Sequence, residues 1–173
     1  MPVRPGTDQD AGEAASLVRQ VLWEHGLPFE PWGLDADILA PGAAYAAFYV
    51  ATDAAGRIIG TAALRRTGPA SGELRKMFLL PEARGNGLGR ALLEAVLAAA
   101  RARRLERLTL TTRPRYDRAI RMYERVGFRL VGPARRPRGD DLGLVYELDL
   151  AGRDDPARPA GLPRRPDTLI PAA

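Results

Sequence analysis

Hydrophobic positions along this chain change period several times, and each change marks an expected element. Val3-Arg4-Pro5 predicts a short edge strand. Thr7 stands where it can cap a helix, with Asp8 and Asp10 in the first turn. Ala11, Ala14, Leu17, Val18, Val21 and Leu22 then recur at helical spacing to about Glu24, and Gly26 and Pro28 stop the helix. Residues 27–33 predict a loop carrying Phe29 and Trp32, and residues 34–40 a short helix. Residues 46–52 and 57–65 read as two strands joined by Asp53-Ala54-Ala55-Gly56, a hairpin signal. Residues 73–80 predict a third strand, ended by Pro81.

The second half continues the alternation. A helix beginning near Gly87 carries Leu88, Ala91, Leu92, Ala95, Val96 and Ala99 to about Arg104. Residues 107–112 predict a strand with Leu108 and Leu110 on one face, and residues 116–126 a helix closed by Gly127. Residues 128–131 and 142–150 predict two more strands around a Pro/Arg loop. From Ala151 onward five prolines stand in 23 residues, which predicts an extended or disordered tail unless Leu169-Ile170 docks on the domain. The expected organisation is one α/β domain over residues 1–150 and a Pro/Arg-rich tail over 151–173, with no internal repeat.

Composition narrows the chemistry. The 173 residues contain no cysteine and one histidine, His25, which excludes disulfides, thiolate metal sites and a cysteine nucleophile. A multi-histidine metal site is excluded too, so no metal is expected. No apolar run approaches the ~20 residues that span a bilayer. Met1-Pro2-Val3-Arg4 leads straight into an acidic polar stretch, unlike a signal peptide, so the expectation is a soluble cytoplasmic protein with no membrane partner.

Of the 26 basic residues only Lys76 is a lysine, a skew that reads first as codon usage rather than as nucleic-acid binding. Charge position says more. Residues 1–83 carry net −3, residues 84–138 net +11 and residues 139–173 net −3. One contiguous third of the chain holds the basic excess, which points to an anionic ligand, either a polyphosphate or a nucleic acid.

That basic third begins at Arg84-Gly85-Asn86-Gly87-Leu88-Gly89-Arg90, between an expected strand and an expected helix. Glycines admit positive φ and leave the backbone bare, so several N–H groups can converge on one anion, and the helix start adds its own unpaired amides. Arg84 and Arg90 add charge. A plain strand–turn–helix junction is the alternative. The string is not a P-loop, since Gly89 is followed by Arg90 rather than Lys-Ser/Thr, and the glycines sit two apart, unlike a dinucleotide fingerprint.

The string resembles motif A of the GNAT N-acetyltransferase superfamily, Arg/Gln-x-x-Gly-x-Gly/Ala, matched by Arg84, Gly87 and Gly89 after Met77-Phe78-Leu79-Leu80-Pro81. A second signature of that family, Ala-x-x-x-Tyr-x-x-x-Gly-Phe, is matched by Ala119, Tyr123, Gly127 and Phe128. The resemblance implies a mixed, mostly antiparallel sheet of six or seven strands with helices on both faces. It implies that acetyl-CoA is the co-substrate. Its pyrophosphate would lie on the turn Arg84, Gly85, Asn86, Gly87, Leu88, Gly89 and Arg90, and its pantetheine arm along Met77, Phe78 and Leu79. Side-chain identity at Asn86 and Leu88 would matter little. Tyr116 departs from the pattern, because many members have Asn there, and that role is not carried over.

Transfer to an amine needs a base, an oxyanion donor and an acid. Glu73 is the candidate base, 14 residues before Gly87, the spacing at which histone-type members carry a glutamate base. Strand alternation would put it on one face with Arg75, Met77 and Leu79. An exposed Glu paired with Arg75 or Lys76 is the alternative. Tyr123 is the candidate acid, by the resemblance a donor to the departing sulfur, with a core aromatic as the alternative. The Leu79 amide is the expected oxyanion donor. Without a cysteine, direct transfer follows.

For the acceptor, Glu24, Phe29, Glu30 and Trp32, together with Asp35 and Asp37, form an acidic, aromatic stretch without Lys or Arg. It would attract a cationic amine, or be a solvated loop. His25 would titrate near the acceptor or cap a helix. The main reading is an acetyltransferase of a small-molecule amine, with a protein amine as the variant. A non-catalytic acyl-CoA-binding module is the second reading. An Arg-rich nucleic-acid binder is the third, and it lacks interleaved aromatics. Dimers are common in the family, so a homodimer is an open expectation.

Overall fold

A computed structural model describes residues 2–134 and 143–153 of the chain. The loop over 135–142, the predicted strand start at Leu142 and the tail over 154–173 with Leu169-Ile170 lie outside the described residues. Seven strands form one sheet in the order β1-β2-β3-β4-β5-β7-β6. They are β1 (Val3–Pro5), β2 (Ala47–Thr52), β3 (Ile58–Arg66), β4 (Ser71–Leu79), β5 (Arg107–Thr112), β6 (Arg129–Pro133) and β7 (Leu144–Asp149). Every neighbouring pair is antiparallel except β4 and β5. The mixed, mostly antiparallel sheet matches the expectation.

Four α-helices accompany the sheet: α1 (Ala11–Glu24), α2 (Pro41–Ala44), α3 (Leu88–Ala102) and α4 (Asp117–Val126). Strand β3 is buried at seven consecutive positions, and both α1 and α3 pack on it, so the two helices cover opposite faces. The apolar stripe of α3 places Leu92, Leu93 and Val96 fully inside, and that of α1 places Ala14, Leu17 and Val18. No helix among the described residues is long and apolar enough to cross a membrane.

The helix expected over residues 34–40 is instead a single 3-10 turn at Ala36–Leu39, followed by α2 starting on Pro41. Ion pairs, described below, organise this segment in place of a helical ladder. Helix α1 begins one turn later than the Thr7 cap predicts, behind a 3-10 turn at Asp8–Asp10. There the Thr7 N–H donates to Asp10 at 2.8 Å, and Arg4 grips both Asp10 oxygens at 2.7 and 3.0 Å.

Two features of β4 position the site. First, it pairs with β5 only over Ser71–Leu74 against Arg107–Leu110, then runs on to Leu79 without a partner on that side. Two parallel strands that part company open a wedge between them, with free main-chain groups along one wall. Second, β4 carries one extra residue: Thr61 faces Phe78 while Ala63 faces Arg75. The bulge sits at Lys76, whose φ is +49°, and the Thr61 hydroxyl donates to the Lys76 carbonyl at 2.7 Å. It reverses the side-chain parity of the strand. Glu73, Arg75 and Phe78 share the face of Ala63 and Arg65, whereas Met77 and Leu79 point to the α3 face. The simple alternation that grouped Glu73 with Met77 and Leu79 is thereby corrected.

The Arg4 hydrogen bonds hold the Asp10 carboxyl at about 2, against an ordinary 3.8. Because the folded value is depressed, Asp10 stabilises the fold above the unfolded value and loses that contribution as pH falls toward 2. In urea titrations from pH 5 to pH 2, Asp10→Asn is expected to be less stable than wild type at pH 5 and to converge with it at pH 2.

Candidate active site

The glycine turn follows a 3-10 turn at Pro81–Ala83 and feeds α3. Gly85 and Gly87 hold φ of +85° and +86°, and a Cβ on either would meet nothing within 4 Å. These two need glycine for conformation. Gly89 needs it for contact, since a Cβ there would stand 3.2 Å from a Leu79 methyl. The N–H groups of Gly85, Gly87, Gly89 and Arg90 have no hydrogen-bond partner among the described residues. Together with the start of the 15-residue α3 they form an anion cradle that fits a pyrophosphate. Asn86 has a role of its own, as its side-chain oxygen accepts the Leu88 N–H at 3.2 Å. The Leu88 side chain is buried.

The cradle opens onto one large cleft of about 2240 Å³, lined also by Glu73, Met77, Phe78, Leu79, Arg84, Arg90 and Tyr123. Leu80 N–H donates to the Ile59 carbonyl across the sheet, so by strand alternation the main-chain groups of Leu79 and Met77 face the cleft. Arg84 reaches back to cap the Leu79 carbonyl at 2.9 and 3.1 Å, and grips Glu24 with two further bonds of 2.7 Å. Those bonds hold the Glu24 carboxyl below its usual range.

Glu73 lies at the floor of the wedge, bonded to Arg65 at 2.5 Å and with Arg75 at 3.7 Å. Leu79 is six residues further along an extended strand, about 20 Å at ~3.3 Å per residue, which exceeds the reach of one side chain and a water. The Leu79 amide, expected as the oxyanion donor, thus stands far from Glu73 along the strand, and the Met77 amide beside the bulge stands nearer. Tyr123 is buried on α4 and packs edge-to-face on Phe128 at 5.8 Å. Burial pushes its hydroxyl pKa up, which keeps the phenol protonated and able to donate.

The acceptor wall differs from the expected one. None of Glu24, Phe29, Glu30 and Trp32 lines the cleft; Trp32 is 95% exposed and Phe29 packs partly on the core. Residues Gly33 to Asp37 line it instead. Three of the acids meant to attract a cation are engaged in ion pairs: Glu24 with Arg84, and Asp35 and Asp37 with β4. His25 caps α1 and packs on Tyr116 at 4.7 Å, with its pKa lowered by burial. Tyr116, the departure from the family pattern, thus packs on the His25 ring.

Sequence reasoning missed Lys76. Its ammonium, 4% exposed, meets the Asp35 carboxylate at 2.6 Å, the Leu34 carbonyl at 3.0 Å and Asp37 at 3.0 Å. Arg75 beside it donates to the same Leu34 carbonyl at 2.9 Å and to Asp37 at 2.8 Å. Only the bulge lets two consecutive strand residues aim at one loop. Burial would raise the Asp37 carboxyl, but the Lys76 and Arg75 charges outweigh it and hold it below its usual range. The available signal was the single lysine among 26 basic residues.

The Acetyltransferase (GNAT) family profile matches residues 16–128. The chain belongs to the GNAT acetyltransferase family. Mycothiol acetyltransferase of Salinispora arenicola is 38% identical over 134 residues, 72% of this chain and 42% of that protein. The peptidyl-lysine N-acetyltransferase YjaB of Escherichia coli is 36% identical over 72 residues, 42% of this chain and 44% of that protein. The chain thus spans less than half the length of these curated relatives. Among solved structures, a GNAT acetyltransferase of Staphylococcus aureus MU50 superposes with TM-score 0.76 at 20% identity, covering 86% of this chain and 98% of that one. The yncA acetyltransferase of Salmonella typhimurium, solved with acetyl-CoA, gives 0.71 at 20% identity, covering 94% and 99%. These two show the shared GNAT fold.

Removing the Lys76 charge leaves the buried Asp35 and the part-buried Asp37 carboxylates beside one remaining cation, Arg75. Lys76→Met is expected to lose about 3–5 kcal/mol in urea unfolding, the usual cost of breaking a buried pair from one side. Lys76→Met combined with Asp35→Leu is expected to be less destabilised than the single variant.

Proposed function

We propose that this GNAT protein transfers the acetyl group of acetyl-CoA directly to a primary amine. The observation that carries the reading is a single continuous cleft. It joins an N–H cradle for the pyrophosphate, the cleft-facing main chain of β4, the Glu73 carboxylate and the buried Tyr123.

Each residue has a part. Gly85, Gly87, Gly89 and Arg90 hold phosphate oxygens through backbone N–H groups, with the Arg90 side chain adding charge. Leu79 presents its N–H to the pantetheine arm, its own carbonyl being held by Arg84, while Phe78 lines the arm. The Met77 N–H, next to the bulge, takes the charge that develops on the thioester oxygen. Acetyl-CoA supplies the activated acyl group. The amine nitrogen forms its bond to the acyl carbon as the carbon–sulfur bond breaks. Glu73, held in one orientation by Arg65 and Arg75, accepts the amine proton directly or through a water. Tyr123 gives a proton to the departing sulfur.

The assignment is tested by thiol release in steady state. Glu73→Gln is expected to lower kcat by on the order of 10²-fold near neutral pH, and the deficit shrinks as pH rises and the amine deprotonates unaided. Tyr123→Phe is expected to lower kcat by a similar order while the KM for acetyl-CoA stays within about twofold. Unchanged turnover in both variants discards the two roles.

A further inference from the structure

The floor of the acceptor side is a half-sheet whose outer face is left open. Along β5 the side chains of Leu108, Leu110 and Thr112 are buried, while Arg107, Thr109 and Thr111 are partly or fully exposed. Along β7, Tyr146 and Leu148 are buried, whereas Glu147 is half-open and Asp149 exposed. Helix α1 packs on β3 and β4, beside this face.

The strand register sets a row of side chains across it. Arg65 faces Glu73, Glu73 faces Thr109, and Thr109 faces Glu147, so all four share one side of the sheet. Arg107 lies on that same side, two residues before Thr109, and lines the same cleft. Between Glu73 and Arg107 the Cα separation is about 8 Å, one strand across at ~4.8 Å and two residues along at ~3.3 Å each.

The charges of this row are unequally satisfied. Glu73 is held by Arg65 and Arg75, and the Asp35 and Asp37 acids beside it are taken by Lys76 and Arg75. Arg107 is different. Its side chain is 62% exposed, and its one ion pair among the described residues is with Glu147 at 3.6 Å, longer than a charge-assisted hydrogen bond. A guanidinium with only that long pair, and with the exposed Asp149 opposite it in register, therefore stands on the acceptor floor, a short diagonal from the candidate base.

We infer that the acceptor is an amine bearing its own carboxylate, of the free amino-acid class. Its carboxylate sits on Arg107 and its amino group over Glu73. The inference rests on the acetyl-transfer reading above. A guanidinium takes a carboxylate through two parallel N–H bonds, which fixes orientation as well as adding attraction. A diamine would place its second positive charge against Arg107. An amino-acid amide keeps the nucleophile and loses the ion pair. Glu147 is a positioning residue that keeps Arg107 over the floor.

The test compares free L-amino acids with their amides, their decarboxylated amines and a simple diamine, using acetyl-CoA consumption. Wild type is expected to favour the acid over its amide by at least tenfold in kcat/KM. Arg107→Gln is expected to bring that ratio near unity through KM for the acid, Arg107→Lys to keep part of it, and the acetyl-CoA KM to stay level. Amides, amines or diamines used as well as the acids overturn the inference, as does a ratio unchanged in Arg107→Gln. If no amine is acetylated, the transfer reading fails, and calorimetric titration of the CoA-loaded protein still decides this one. Binding of the acids and not the amides, lost in Arg107→Gln, supports it; no binding of the acids overturns it.

Discussion

One extra residue in β4 governs how this protein divides its cleft. A regular nine-residue strand would send alternate side chains to fixed faces along its whole length, and the candidate base would share a face with Met77 and Leu79. The bulge at Lys76 reverses that parity half-way. Below it, Glu73 and Arg75 share the face of Ala63 and Arg65. Above it, Met77 and Leu79 turn toward α3 and the glycine turn, while their main-chain groups line the wedge left by β5. A non-glycine residue at φ +49° is costly by itself and persists only where its surroundings fix it. Here the Thr61 hydroxyl holds the Lys76 carbonyl, and three oxygens hold its ammonium.

That arrangement explains why the position is a lysine in a chain whose other 25 basic residues are arginines. The oxygens of Leu34, Asp35 and Asp37 converge on one point at 2.6 to 3.0 Å. A compact ammonium satisfies them together, whereas a planar guanidinium presents its donors in a fork. The same pairs remove the negative charge of the loop from the cleft. On α4, by contrast, Arg118, Arg121 and Arg125 line the cleft and make no ion pair among the described residues. Part of the basic third of the sequence thus lines the cleft with cations that have no ion pair among the described residues, whereas the acids of the 33–37 loop are matched by Lys76 and Arg75.

Much of the fold was legible in the sequence because its signals are local. Helical spacing located α1, α3 and α4, the Asp53–Gly56 hairpin located β2 and β3, and Gly127 closed α4 with φ +110°. The cradle was legible for the same reason, since glycine at Gly85 and Gly87 encodes a backbone conformation directly. What stayed hidden depends on partners distant along the chain. Lys76 and Asp35 stand 41 positions apart, and Arg84 and Glu24 stand 60 apart. A run of acids without neighbouring bases looks free along a sequence, yet Glu24, Asp35 and Asp37 each meet a cation from β4 or the turn after it. The parity reversal was hidden too, because nothing in Arg75-Lys76-Met77 announces a bulge.

The bulge also separates two kinds of recognition on one strand. Above the bulge the cleft is lined by main-chain groups of β4 and by the glycine turn. Below it the lining comes from side chains, Arg65 and Glu73 together with Thr109, Arg107 and Glu147 on neighbouring strands. Substitutions on that open half-sheet can change which amine is accepted without disturbing the phosphate cradle. The coupling between the two sides runs through the bulge itself, because the Met77 amide and the Lys76 anchor of the acceptor loop belong to adjacent residues. A change that loosens the loop therefore also moves the Met77 amide. Under the proposed transfer, acceptor binding and rate would be coupled at that point, whereas the glycine turn lies several residues further along the chain.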